Sequence, residues 1–415
     1  MSNWQKVKIG DFLFERKGRY KPNDEQIVNL PRIEKIDFSG NFHIGNKDSK
    51  TDMILIKDGD LVISGINVAK GAMGIYSGED VTATIHYSSY TFDSNKINVE
   101  YFKRFLKSSE FIELLNEQVK GGIKTEIKPK HILALEIQLP DINTQAQIVQ
   151  HFENVEDDIA DVTKEVLKQE SLLKKLKQTI LQEAIEGKLT AKWRAKNPDI
   201  GTAKELLEQI KTEKEKLIKD KKIKASKPLA PINEDEIPFD IPPSWEWCKF
   251  GEIIYENPRN GYSPKTVDYK TEIKTLKLGA ITQGYFDTTQ IKYLDISIEK
   301  DSFLWLKKGD VLIQRSNSLE HVGMAGIYNL KDTNYIYPDL IMKCQVVQPV
   351  INYFIHKYLV SNFTREYFRN NASGAQQSMP KINQGTVTNL LVPLPPTEEQ
   401  KEIVATIEKL FTICD

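Results

Sequence analysis

Trp4-Gln5-Lys6-Val7-Lys8-Ile9-Gly10-Asp11-Phe12 near the start of the chain and Trp245-Glu246-Trp247-Cys248-Lys249-Phe250-Gly251-Glu252-Ile253 past its middle align without a gap. Three more pairs follow in the same order. Lys57-Asp58-Gly59-Asp60-Leu61-Val62-Ile63-Ser64 answers Lys307-Lys308-Gly309-Asp310-Val311-Leu312-Ile313-Gln314, and each reads as a tight turn entering a strand. Gly71-Ala72-Met73-Gly74-Ile75-Tyr76 answers Gly323-Met324-Ala325-Gly326-Ile327-Tyr328, and Leu135-Glu136-Ile137-Gln138-Leu139-Pro140 answers Leu390-Leu391-Val392-Pro393-Leu394-Pro395. The chain therefore reads as two copies of one unit, a mixed α/β globular domain leading into a helix. Between landmarks the halves diverge, as a shared scaffold does when each copy must recognise something different.

After Pro140 the positions Ile148, Phe152, Val155, Ile159, Val162, Val166, Gln169, Leu173, Leu176 and Ile180 step alternately by four and three. That is the coiled-coil period, with Gln169 as its polar member, and it predicts a helix from about Thr144 to Glu186, roughly 65 Å long. Such a rod holds two domains apart. Thr144 with Gln147 reads as the capping box at its start, and Gly187 as its end. Near the C-terminus Thr397 with Gln400 repeats the start, and Ile403, Ile407, Leu410 and Cys414 fall on Ile148, Phe152, Val155 and Ile159. The two seams are expected to pack antiparallel. A third helix begins at Thr202, capped with Glu205, with a mostly solvated surface. Pro228, Pro231, Pro238, Pro242 and Pro243 then break regular structure, which assigns the inter-unit linker to residues 227–243.

With 415 residues and 40% hydrophobic content the chain can bury more than one core, and its net charge of −1 disfavours a polybasic coat while leaving local patches open. No apolar run approaches the roughly 20 residues of a membrane span, and Met1-Ser2-Asn3-Trp4 lacks the pattern of a signal peptide, so a cytoplasmic protein is expected. Cys248, Cys344 and Cys414 are far apart and read as small core-filling thiols, not as a disulfide framework or zinc site.

Phosphate, metal and base-flipping motifs are missing. Glu186-Gly187-Lys188-Leu189-Thr190 lacks the upstream glycine of a phosphate loop and carries leucine where Ser or Thr belongs. The six histidines show no metal spacing. Ile241-Pro242-Pro243-Ser244 and Leu394-Pro395-Pro396-Thr397 lack the leading amide or acid and the trailing aromatic of the adenine-methyltransferase motif. No catalytic, cofactor-binding or metal-ligating residue is assigned.

The divergent loops suit DNA better. Arg16, Lys17, Arg19 and Tyr20 combine guanidinium forks, an amine and a ring, and Arg259, Asn260 and Tyr262 are their counterparts. Ser64, Asn67 and Lys70, then Tyr87 and Ser88 in His86-Tyr87-Ser88-Ser89-Tyr90, are further candidates in the first unit, and Arg315, Asn317, Ser318, Gln376 and Gln377 in the second. Arginine suits guanine and amides suit adenine in bidentate pairing. Taken singly, each of these residues also suits a solvated loop or turn. Lys120, Lys124, Lys128 and Lys130 form a basic stretch suited to phosphates or to the solvent face of a strand.

Two variable globular regions, each followed by a coiled-coil helix, resemble the specificity subunits of type I restriction-modification systems over essentially the whole chain. Leu181-Gln182-Glu183-Ala184-Ile185-Glu186-Gly187-Lys188-Leu189-Thr190-Ala191-Lys192-Trp193-Arg194, then Ile237-Pro238-Phe239 and Trp245-Glu246-Trp247, are similar to the family's central conserved region and the beginning of its second target-recognition domain. Leu394-Pro395-Pro396-Thr397-Glu398-Glu399-Gln400 is similarly typical. The resemblance implies an α+β fold: a target-recognition domain over 1–141, a central conserved coiled-coil helix over 142–190, a helical segment and Pro-rich linker over 191–244, a second recognition domain over 245–395 and a short distal helix over 396–415. It implies a non-catalytic chain whose domains each read one half of a split DNA target, while antiparallel helices dock two modification subunits. Those partners would bind S-adenosylmethionine and methylate adenine at N6, and motor-nuclease subunits would join for cleavage. The distal helix, shorter than the central one, departs from the family's pattern and leaves docking of the second modification subunit less supported. A target-recognition subunit of a related motor-less DNA-modification system and a coiled-coil adaptor with two protein-binding α/β domains remain alternatives.

Overall fold

The run Leu61-Val62-Ile63 offers no polar face, and the strand Leu61–Ser64 is buried along its whole length. Successive side chains point to opposite sides, so Leu61 and Ile63 enter a core with Phe12, Tyr90, Phe102 and Phe111, while Val62 enters another with Ile33, Ile56 and Val81. The strand Val311–Gln314 repeats this. Val311 and Ile313 lie in one core with Phe250, Phe354 and Tyr358, and Leu312 in a second with Tyr328, Tyr335 and Tyr337.

The computed structural model describes residues 4–47, 49–119, 128–331, 334–374 and 379–414. The chain divides into two units, Met1–Val166 and Leu167–Asp415. In the first, Gln5–Lys8 pairs antiparallel with Glu136–Leu139, joining the beginning and end of the globular part. A second sheet has the order Leu13–Glu15, Tyr87–Phe92, Leu61–Ser64, Met73–Ile75, and a third the order Phe42–Gly45, Arg32–Ile36, Val81–Thr84, Met53–Ile56. In the second unit Glu246–Lys249 pairs with Leu391–Leu394. The next sheet has the order Arg259–Asn260, Ile341–Cys344, Val311–Gln314, Ala325–Ile327, and the last Ile291–Leu294, Ile273–Leu276, Tyr335–Ile336. The second sheets correspond strand for strand, and the third sheets, of four strands in the first unit and three in the second, each contain one parallel pairing, Arg32 with Thr82 and Lys274 with Tyr335.

The turns before the buried strands share one device. Gly59 and Gly309 hold φ of +81° and +96°, conformations that a side chain would strain. Asp60 and Asp310 fold back to accept from the backbone N–H of Lys57 and Lys307 at 3.0 and 2.8 Å.

The helix Ile142–Ile185 has 44 residues, but Thr144 is not its capping residue. Asp141 is: its carboxylate accepts from the backbone N–H groups of Asn143 and Thr144 and from the Thr144 hydroxyl. The repeated feature of the two helix starts is a buried glutamine. Gln145 donates to the Pro140 carbonyl at 2.8 Å and accepts from Asn98 N–H at 2.7 Å; Gln400 donates to the Pro395 carbonyl and accepts from Ile351 N–H, both at 2.8 Å. Each glutamine therefore ties a helix start to the body of its own unit.

The seam is only partly covered. Ile148 packs at the edge of the first unit's core, whereas Phe152, Val155, Ile159, Val162, Val166, Leu173 and Leu176 are exposed. Ile403 and Ile407, with Leu410 partly buried beside them, share a core with Ile180, Leu181, Ala184 and Ile185. Glu399 meets Thr190 while Phe411 lies 5.5 Å beneath Lys177 Nζ, so Thr397–Cys414 runs antiparallel over the last turns of the long helix. The expected match of Ile403, Ile407 and Leu410 to Ile148, Phe152 and Val155 is one of repeat position, not of packing. An 18-residue helix spans about 27 Å of the long helix's ~66 Å.

Residues 203–243 also differ from expectation. Thr202 and Glu205 do form the capping box, but the helix Ala203–Lys219 buries Ala203, Leu206 and Ile210 in the second unit's core, and Lys214 Nζ donates to the carbonyls of Gly251 and Glu252. The proline-rich stretch contains a 3-10 turn at Glu234–Glu236 and packs Phe239 against Trp247 and Phe363 at ring distances of 5.0 and 5.5 Å. These residues are a strap over the second unit, because prolines without N–H groups and large apolar side chains can cover a core without forming a ladder. Gly187, at φ +72°, ends the long helix as expected.

The strap, the loop after the long helix and the terminal helix meet at Glu399, which is fully buried. Its carboxylate accepts from Trp245 Nε1 at 2.8 Å, the Thr190 hydroxyl at 2.7 Å and Arg194 Nε at 3.0 Å. Glu399→Gln forfeits acceptor sites and leaves Arg194 without its anion; it should destabilise the second unit by about 1.5–3 kcal/mol, read as a lower urea midpoint with unchanged m. His356, buried in the helix Asn352–Leu359, has its imidazole pKa pushed down by burial to about 4 from 6.5. The unfolded chain therefore takes up this proton first: the contribution is complete above pH 6.5 and is lost as pH falls towards 4. His356→Leu should flatten stability against pH in that interval, by at most about 1.4 kcal/mol per pH unit.

Candidate nucleic-acid interface

In the first unit the backbone N–H of Arg16 donates to the Ser89 carbonyl and that of Gly65 to the His86 carbonyl, so residues 16–19 and the end of Leu61–Ser64 flank the turn 85–86 and the start of the strand Tyr87–Phe92. Between them lies a cleft of about 540 Å³ lined by Arg16, Lys17, Arg19, Tyr87, Ser88 and Lys128, among others. Sequence candidates far apart in the chain thus meet at one sheet end. Lys17, Arg19 and Lys128 are exposed, and their side chains have no ion-pair partner among the described residues.

Arg16 has a different task. Its Nε and Nη2 donate to the two Asp60 oxygens at 2.6 and 2.7 Å, and Ser89 donates to the same carboxylate at 2.7 Å. The carboxylate raises the guanidinium pKa, and the pair fastens the loop to the buried turn. Ser64 and Ser88 are buried. The Tyr20 backbone pairs with Met53, and Asn67 precedes the 3-10 turn Val68–Lys70. Lys70 lies 5.9 Å over the Phe38 ring and borders a separate cavity with Lys103 and Lys107. Lys124 lies outside the described residues.

The second unit uses the same sheet end. Gly261 N–H donates to the Ile341 carbonyl and Arg315 N–H to the Leu340 carbonyl, which puts Asn260, Tyr262 and Arg315 around the segment 338–341. Tyr262 is 53% exposed. The Arg315 side chain is half-buried with no ion-pair partner among the described residues. Ser316 donates to the Pro380 carbonyl and pairs with Lys381, which pairs in turn with Ser373. Gln376 and Gln377 lie outside the described residues, but the stem on either side of them is therefore joined to the Arg315 loop. Arg259 faces elsewhere: it bonds Glu256 at 2.9 Å and lies 5.2 Å from the Phe303 ring. Asn317 is held within its own turn, donating to Gln314 Oε1 and accepting from Ser318 N–H, both at 2.8 Å.

Among the described residues no group of three or more His, Cys, Asp or Glu side chains is arranged to hold a metal ion, and no helix is long and apolar enough to cross a membrane. Residues 242–415 match the family model of the type I restriction modification DNA specificity domain. A stretch of 257 residues is 31% identical to the type I restriction enzyme EcoEI specificity subunit of Escherichia coli, covering 59% of this chain and 41% of that protein. Over these residues the chain is similar to the specificity subunits of type I restriction enzymes.

Other relatives extend the match. The EcoAI specificity subunit of Escherichia coli is 26% identical over 95% of this chain and 75% of its own length. The fold agrees with that of the HsdS subunit from Thermoanaerobacter tengcongensis at a TM-score of 0.55 and 15% identity, covering 99% of this chain and 90% of that one. The stretch aligned with the EcoEI protein spans about two fifths of that relative.

Sequence reasoning missed Arg365. It is buried in the helix Asn362–Asn370, donates to the carbonyls of Val322 and Glu320 at 2.6 and 2.8 Å, and so pins the loop after Arg315. Burial pushes its pKa down to about 10, still charged at neutral pH. The helical spacing of Thr364, Arg365 and Phe368 on one inward face was its only signal. The clefts separate two kinds of cation. Arg16→Ala leaves the buried Asp60 carboxylate without its cation and should cost about 3–5 kcal/mol of stability, whereas Lys17→Ala and Arg19→Ala should stay within about 0.5 kcal/mol in the same denaturation experiment.

Proposed function

We propose that this chain is the sequence-reading, non-catalytic subunit of a type I restriction-modification methyltransferase, acting on double-stranded DNA in the cytoplasm. Each of two pseudo-repeated target-recognition domains, about residues 1–141 and 245–395, reads one half of a bipartite asymmetric target. The long helix acts as the coiled-coil spacer between them, with the terminal helix antiparallel to it, and the helices dock two modification subunits. Those subunits hold S-adenosylmethionine and methylate adenine; motor-nuclease subunits join for cleavage.

The observation that carries this reading is the pair of corresponding sheet ends. Each presents exposed or half-exposed loop side chains around one strand end, Lys17 and Arg19 in one unit and Tyr262 and Arg315 in the other, on strand orders that match. Equal scaffolds with unequal reading groups suit a target whose halves differ. Cations without carboxylate partners suit phosphates, and an unpaired guanidinium suits a guanine edge.

Binding of the full chain to duplex DNA should weaken linearly in log K against log salt, and Lys17→Ala, Arg19→Ala or Lys128→Ala should each lower the slope by up to about one unit without altering sequence preference. Exchanging residues 245–395 for those of another family member should change one half-site and leave the other intact. A protein-binding adaptor would show no salt slope on DNA, and a change in both half-sites would overturn the modular reading.

A further inference from the structure

Gln314 ends the strand Val311–Gln314 and is fully buried, one residue before Arg315. Its Nε2 donates to the Leu278 carbonyl and to the Thr282 hydroxyl oxygen, each at 2.8 Å. A carbonyl oxygen only accepts, so the nitrogen end of this amide must face Leu278 and the oxygen end must face away. On that side Gln314 Oε1 accepts from Asn317 Nδ2 at 2.8 Å, and Asn317 Oδ1 accepts from Ser318 N–H at 2.8 Å. The Leu278 carbonyl at one end of this chain of bonds only accepts and the Ser318 N–H at the other only donates, so the two together fix the polarity of both amides. Thr282 also donates to Leu278 at 2.9 Å, which leaves its lone pairs for Gln314 and closes the network.

Asn317 is half-buried and uses only part of its amide in this chain of bonds; an amide has two donors and two lone pairs, so one N–H and one lone pair remain. Those are the groups that pair with an adenine edge. Its loop is held from below as well: Arg365 binds the Glu320 and Val322 carbonyls, and Gly323, at φ +74°, lies against the buried Phe368 ring. In the first unit Ser64 stands at the position of Gln314 and Asn67 three residues on, where a serine lacks the amide to relay such a polarity.

We propose that Gln314 is a specificity-determining positioning residue: without reaching DNA, it acts with the Ser318 N–H to hold the Asn317 amide in the orientation with which it meets a base edge. The proposal rests on the DNA-reading function above. Asn317 loses rotational choice before DNA arrives, and a wrong base then meets a donor or acceptor that cannot turn over to suit it. Base discrimination in the second half-site gains from this pre-organisation.

The test is selection of the full chain on a randomised duplex library, followed by affinities for single-base variants of the enriched site. Asn317→Ala should relax preference at one position of one half-site, by about 5- to 150-fold. Gln314→Met, close to isosteric, should relax the same position and leave the other half-site unchanged. The double variant should lose no more than Asn317→Ala alone, since the two residues act through one group. Thr282→Val, which removes one of the two acceptors and keeps the shape, should give a smaller loss at that position even if the methionine variant folds poorly. Additive losses, an equal loss of affinity for every sequence, or an unchanged profile with either variant would overturn the relay while leaving the DNA-reading function standing. A wild-type chain that enriches no sequence would overturn that function, and the relay with it.

Discussion

A carboxylate buried beneath a glycine turn organises each half of this protein. Asp60 and Asp310 have almost no exposure, and each sits at the head of a fully buried strand that feeds two cores. A buried carboxylate needs a cation and several donors to offset its desolvation, and each unit meets the need differently. In the first, Arg16 arrives from the neighbouring loop with two hydrogen bonds. In the second, Lys343 arrives from the adjacent strand at 3.4 Å and Gln345 donates at 2.6 Å. Register explains the exchange: Ser89 lies opposite Val62 and Lys343 opposite Leu312, so a cation supplied by the strand in one copy is supplied by the loop in the other.

That exchange has a consequence for recognition. Where Arg16 is tied to Asp60, the loop carrying Lys17 and Arg19 is anchored at its root, and the outer cations are left exposed. Where Lys343 fills the role, the counterpart Arg259 is released to pack on Phe303, and the exposed group at that sheet end is Tyr262. Corresponding sheet ends with the same order of four strands thus present different exposed groups.

What the sequence made legible follows from what repeats locally. The glycine turns, the buried strands and the long helix were readable because short runs of residues determine them. The capping residue was misread because Thr144 and Thr397 match a common pattern, whereas the repeated contact is made by Gln145 and Gln400, whose partners on Asn98 and Ile351 lie far away in the chain. Glu399 stands at the repeat position of Thr144, and neither its burial nor its partners Thr190, Arg194 and Trp245 can be inferred from spacing. Among the DNA candidates, residue type alone grouped Arg16 with Lys17 and Arg19. Only the buried position of Asp60 separates the anchoring arginine from the exposed cations.

The net charge of −1 is compatible with DNA reading for the same reason. Several carboxylates have structural tasks away from the cleft or within the core: Asp141 caps a helix, Glu399 joins three segments and Asp60 holds a loop. Electrostatic attraction depends on charges within about a Debye length, roughly 8 Å at physiological salt, not on the chain's total. A cleft that collects Lys17, Arg19 and Lys128 can therefore draw phosphate while the molecule as a whole stays nearly neutral. Near-neutrality also disfavours attachment to arbitrary DNA through overall charge alone.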